Sequence, residues 1–193
     1  MNGPALESIA HQDESRAHIV GDFWNWSIEF YKLPGVPAVL IELQDTAGAN
    51  VNCLLWALWM SSRTAKIDAD TVRLAIESSS AISEQITQPI RATRRAAKSL
   101  NNHLYQELKA TELSAEAQEQ RSIILSIVDE YGISYFGAAA TSTRPNSANV
   151  RLAEENIELV MTGLSIPDNI RKSSRDQLIR AYEMGDVVKH AGP

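Results

Sequence analysis

Four cations raise the first chemical question. Arg91, Arg94, Arg95 and Lys98 stand at i, i+3, i+4 and i+7, so a helix would project them from one face. Guanidinium groups in such an array grip carboxylates or phosphates in bidentate fashion. An acidic protein, a phosphate-bearing ligand or an RNA backbone would each fit. RNA is the weakest of the three, because Tyr105 is the only interleaved aromatic and the whole chain carries a net charge of −6. Against external binding stands internal pairing. Glu77 and Glu84 fall on the same face, and Glu107, Glu112, Glu116 and Glu119 follow in the next connection. A solvated or self-neutralised face is the usual outcome for such a run.

A second constellation lies in residues 21–60, which hold all four tryptophans. Ser27, Gln44, Asp45 and Asn52 are planted among large apolar residues there. Asn52, Trp56, Trp59 and Arg63 recur at i, i+4, i+7 and i+11, which puts them on one helical face. A buried amide without a partner costs about 1–3 kcal/mol, so these groups must bond to one another, to backbone, or to a ligand. As a ligand site, Trp24, Trp56 and Trp59 would wall a pocket between the first and third helices. Ser27, Gln44, Asp45, Asn52 and Arg63 would supply its polar contacts. An enzyme built there would use Asp45 as base. As a core, the same residues form a satisfied network that locks helix register. Asp45 and Asn50 also suit caps at a helix–helix turn.

Signatures of catalysis are missing: no P-loop, no GxGxxG after a strand, no HExxH, no GxSxG and no Asp-rich metal motif occurs. No catalytic residue, cofactor or metal is therefore assigned. His103 and Glu107 are spaced i, i+4, which suits ordinary surface pairing better than a metal lacking a second ligand pair. His11, His18 and His190 have no metal or catalytic company. Cys53 is the only cysteine and sits in an apolar run, which suits an inert core thiol and excludes an internal disulfide.

The elements that must position these residues are helices. Apolar spacing is helical throughout, and no convincing strand alternation appears. After a mobile arm over 1–14, helices are expected over 15–32, 37–46 and 50–62. Pro34, Gly35 and Pro37 divide the first two. The third is apolar nearly all round and so central. Asp68 or Asp70 should cap a long segment over 71–110, kinked or divided at Pro89. Ser114 should cap a fifth helix ending before Gly132. The Gly/Ala/Ser/Thr-rich stretch 137–149 reads as a linker. Two further helices, 148–162 and 167–184, carry a thin apolar stripe of Val150, Ala153, Ile157, Val160 and Leu164. They read as a peripheral C-terminal hairpin and tail, over 150–193, packed on a core domain of 15–136.

The blocks FWNWSIEFY, PGV, LQDTAGANVNCLLWALW and PIRATRRAAK together resemble a family of small uncharacterised Gram-negative bacterial proteins, a domain of unknown function. The resemblance spans about 21–131 and omits the last third. Ile28 and Cys53 stand where that pattern has leucine. Membership implies no reaction or cofactor. It implies that Phe23, Trp24, Trp26, Ser27, Tyr31, Gln44, Asp45, Asn52, Trp59, Arg91, Arg94, Arg95 and Lys98 belong to the family pattern.

At 193 residues, 44% hydrophobic and 22% charged, the composition is that of a globular protein. The N-terminus lacks a basic region followed by an apolar run, so no signal peptide is expected. The most apolar run, 51–60, is too short to span a bilayer. The expectation is a cytoplasmic, all-α, single-domain helical bundle of about five core helices plus the hairpin. Its leading function is non-enzymatic binding of an acidic or phosphate-bearing partner through Arg91, Arg94, Arg95 and Lys98. The alternative is the Trp-lined small-molecule site, and a third reading is a structural subunit that forms a homodimer.

Overall fold

The computed structural model describes residues 4–137 and 144–185, with side chains from residue 12 onward. Eight α-helices, and no strand, occur among the described residues. They are α1 (Pro4–Tyr31), α2 (Val36–Ala47), α3 (Val51–Ser62), α4 (Ala69–Ile82), α5 (Gln88–Ala97), α6 (Asn102–Tyr131), α7 (Ser147–Gly163) and α8 (Asp168–Met184). The all-helical bundle read from the sequence is the fold observed.

Local chemistry sets most boundaries. Gly35, at φ 85, makes the turn into α2, and Pro37 occupies its first turn. Gly48, in the left-handed region, ends α2: its N–H donates to the Gln44 carbonyl and the Ala49 N–H to the Leu43 carbonyl. Asn50 then caps α3, its side chain accepting from the Asn52 N–H. Asp68, rather than Asp70, caps α4 in a reciprocal box with Thr71.

α3 is the hub. Every residue from Asn52 to Ser61 is buried, and α1, α2, α6 and α7 pack around it. Trp56 and Trp59 are 0% and 1% exposed. Phe23 and Phe136 pack on Trp59, with ring centroids 5.0 and 5.6 Å away. A buried indole removes roughly 200 Å² from water, at about 25 cal/mol per Å². These two tryptophans are therefore principal core members.

Three boundaries differ from the sequence reading. α1 begins at Pro4, so residues 4–14, expected as an arm, are helical. At Pro89 the segment is divided as expected: a π-turn over Ser83–Thr87 separates α4 from α5, and Pro89 lies in the first turn of α5. A wider turn relieves the clash between the pyrrolidine ring and the preceding carbonyls. The segment's end, expected near 110, comes instead at 98–101, where Asn101 in extended conformation accepts the Leu104 N–H and starts α6. Ser114 lies inside α6 and donates back to the Ala110 carbonyl, the alternative open to a mid-helix serine.

The C-terminal pair is less peripheral than its thin stripe suggested. Ala153, Asn156, Ile157, Val160 and Met161 are fully buried against the rest of the core. Asn156 donates to Ser61 Oγ and the Ala65 carbonyl, both at 3.0 Å, and accepts the Ile67 N–H at 3.2 Å. Asn149 donates to the Ser61 carbonyl at 3.0 Å. Polar residues that a hydrophobicity count discounts thus bind α7 to the end of α3. Part of the expected linker, 138–143, and the tail from 186 on, with His190, lie outside the described residues.

Candidate functional site

Because the chain turns at 98–101, α5 lies antiparallel to the first half of α6. Glu112, Glu116 and Glu119 repeat at i, i+4 and i+7 on α6. The first two meet the arginines of α5. Arg91 Nε donates to Glu112 Oε1 at 2.7 Å, and its terminal nitrogen donates to Glu116 Oε1 at 2.8 Å. Arg94 donates to both oxygens of Glu112 and lies over the Tyr105 ring at 5.7 Å. The Glu112 side chain is 9% exposed, and those of Arg91 and Arg94 are 14% and 20%.

The remaining two cations differ. Arg95 donates to Asp45 Oδ1 at 2.6 Å, with both side chains in solvent. Lys98 is exposed, and its ammonium makes no hydrogen bond or ion pair among the described residues. The four residues do share a surface, but two are engaged inside the α5–α6 hairpin and two point outward.

The candidate pocket residues separate too. Asn52 Nδ2 and Asn50 Nδ2 both donate to Glu119 Oε2 at 3.0 Å, and Gln120 Nε2 donates to Asn52 Oδ1 at 2.9 Å. Asn50 Nδ2 also reaches Ser79 Oγ at 3.3 Å. Asp45 is on the surface, and Gln44, half-buried, contacts it at 3.4 Å. Arg63 stacks over Trp59 at 5.1 Å and donates to Asp22 Oδ2 at 2.5 Å and the Phe136 carbonyl at 2.9 Å. It clamps α1 and the turn after α6 to α3. Trp24 is half-buried, and Ser27 is 3% exposed with no partner for its hydroxyl among the described residues. Asn52 and Asp45 therefore do not converge on one space. A cleft of about 140 Å³ lies elsewhere, between α2 and α8, lined by Pro34, Val39, Arg180 and Met184.

Electrostatics follow the packing. Burial holds the Glu116 carboxyl above its ordinary value despite the Arg91 guanidinium. Tyr31, beside this cluster, is pushed up by burial and then by Glu116. The Arg95 hydrogen bond lowers Asp45. Burial drives the Cys53 thiol up to about 12, with Glu119 adding to the rise and Ser79 opposing it. Cys53 is thus no thiolate nucleophile at neutral pH. His103 and Glu107 form an exposed i, i+4 pair at 3.3 Å. Among the described residues, no group of three or more His, Cys, Asp or Glu side chains is arranged to hold a metal ion. The arrangement is suited to holding helices in register and to presenting the hairpin end.

Sequence reasoning placed Glu112, Glu116 and Glu119 in a connection and did not single out Gln120. Their signal was present. A carboxylate stripe at i, i+4, i+7 is the complement of a cationic stripe at i, i+3, i+7, and only the misplaced break at 110–114 hid it.

Comparison with known proteins gives one match. The model of a family described as a protein of unknown function (DUF2390) matches residues 22–123. No curated protein and no solved structure matches. The matched span runs from the middle of α1 into α6. It contains the α5–α6 hairpin and the Asn52–Glu119–Gln120 cluster, and it excludes α7 and α8.

Proposed function

The chain belongs to the DUF2390 family, proteins of unknown function, and on that premise we propose a non-enzymatic binding protein whose α5–α6 hairpin docks an acidic, partly apolar protein segment. One observation carries this reading: the cations of α5 divide between inner and outer duty. Arg91 and Arg94 are held by Glu112 and Glu116, so they stiffen the hairpin. Arg95 and Lys98 face solvent at its end, next to Leu100 at 83% and Leu104 at 43% exposure.

The energetics favour exchange at that end. An exposed pair such as Arg95–Asp45 is worth about 0–1 kcal/mol, so a partner carboxylate can replace Asp45 at little cost. Leu100 and Leu104 lie within one turn of each other across the Asn101 cap and offer apolar area to bury. Two cations beside two exposed leucines, on a chain of net charge −6, select an acidic segment with apolar side chains of its own.

A photo-crosslinking residue at Leu100, with the crosslinked peptide sequenced, tests this. The expected product is an acidic, leucine- or phenylalanine-bearing segment of another protein. It should disappear with Arg95→Glu/Lys98→Glu while thermal stability holds, and persist with Lys172→Glu on α8. Crosslinks that survive the hairpin charge reversal, or that join two copies of this chain, refute the proposal. Saturable binding of inorganic phosphate at the same residues, without peptide capture, would replace it with the phosphate reading.

A further inference from the structure

Four polar atoms in the interior lack hydrogen-bond partners among the described residues: Ser27 Oγ, Trp56 Nε1, Glu119 Oε1 and Gln120 Oε1. Their residues are 3%, 0%, 1% and 2% exposed. Two registers place them together. Asp22 with Arg63 and Phe23 with Trp59 run α1 antiparallel to α3, so the next turn of α1 carries Ser27 to the level of Trp56. Arg16 with Asp129 and Tyr31 beside Glu116 run α1 antiparallel to α6. The same step along both helices takes Arg16 to Ser27 and Asp129 to Gln118, beside Glu119 and Gln120. Asn52, one turn before Trp56, is bonded to both of those side chains.

Glu119 is the unusual member. It is a carboxylate with no cationic partner among the described residues. One oxygen takes two amide donors and the other takes none. Buried polar groups are rarely left so, and a buried carboxylate least of all. The inventory of unmet bonds defines what would satisfy it. Glu119 Oε1 and Gln120 Oε1 only accept, the Trp56 indole N–H only donates, and the Ser27 hydroxyl does both. A guest must therefore donate at least twice and accept at least once. A metal cation or an ammonium ion accepts nothing from Trp56. Water does both, and buried waters characteristically bridge two to four such groups.

We propose that the α1–α3–α6 junction is an internal water-binding site, anchored on Glu119 and closed by Ser27, Trp56 and Gln120. The bound water completes the coordination of a carboxylate that no arginine or lysine among the described residues reaches. It also couples α1 to the Asn52–Glu119–Gln120 cluster, independently of any docking at the hairpin.

The test is a water-selective NOE and ROE experiment on the full chain, read at the Trp56 indole proton and assigned with Trp56→Phe. The expected result is a cross-peak to water with the sign of a long-lived contact. A crystal structure separates this direct contact from relay through the Ser27 hydroxyl proton. A crystal structure that resolves ordered solvent should show water within hydrogen-bond distance of Glu119 Oε1 and Trp56 Nε1. Absence of the cross-peak in the wild type overturns the proposal. So does density bound by oxygens alone without Trp56, which marks a monovalent cation, or direct contacts among the four groups with no guest.

Discussion

Glu112→Gln is the sharpest probe of the hairpin. Glu112 accepts from Arg91 once and from Arg94 twice, and its side chain is 9% exposed. Removing one member of a buried ion pair costs about 3–5 kcal/mol, because the opposite charge is left uncompensated. Arg91 keeps Glu116, and the arginines retain some solvent, so the lower end applies: about 3 kcal/mol. Asp45→Asn, which breaks the exposed Arg95 pair, should cost about 0–1 kcal/mol. In urea at neutral pH, with m between about 1 and 3 kcal/mol/M, Glu112→Gln should lower the midpoint by roughly 1–3 M at unchanged slope. The corresponding fall in Tm is about 6–12 °C for a chain of this size. Combining Glu112→Leu with Arg94→Met should restore much of the loss, since an apolar replacement of a buried pair is often neutral. Equal shifts for Glu112→Gln and Asp45→Asn, or double-mutant losses that simply add, would refute the buried-pair argument.

Three further outcomes follow from other parts of the fold. Asn156→Ala removes three hydrogen bonds at a fully buried side chain, and should lower stability by about 2–4 kcal/mol in the same urea assay. Tyr182→Phe should be neutral or stabilising by up to about 1–2 kcal/mol in calorimetry, because the Tyr182 hydroxyl is buried without a partner among the described residues. Alkaline pH should destabilise the protein. Burial lifts Cys53 from its ordinary 9.0 to about 12, so between those values the unfolded thiol ionises while the folded one keeps its proton. The folded state then holds more protons and stability falls as pH rises, with Tyr182 and Tyr31 shifted the same way. Urea midpoints that stay level from pH 8.5 to 10.5 (values set by roughly the ordinary thiol and phenol ranges) would contradict this.

Much of this fold is legible along the chain because its signals are local. The apolar run of α3 required a central helix, and the Gly48–Asn50 turn has its stop and its cap within three residues. Asp68 and Thr71 write their capping box into adjacent sequence. Where competing local signals existed, the reading failed. Ser114 resembles a cap, yet Asn101 takes that part, and the difference shifts α6 enough to turn a connection into a carboxylate-bearing face.

The sequence by itself determined the helical class, the buried tryptophans and the identity of the four cations. Tertiary structure alone decided which cations remain available and which amides are already engaged. Arg91 and Arg94 carry the same charge as Arg95 and Lys98. Only the antiparallel return of α6 puts Glu112 and Glu116 against the first two. Asn52 reads as a candidate ligand contact until Glu119 and Gln120, 67 and 68 positions away, arrive to bond it. The physical reason is the same in both cases. Helix-forming preferences act over a few residues, whereas the partner of a buried charge or amide is chosen by packing between helices distant in the chain.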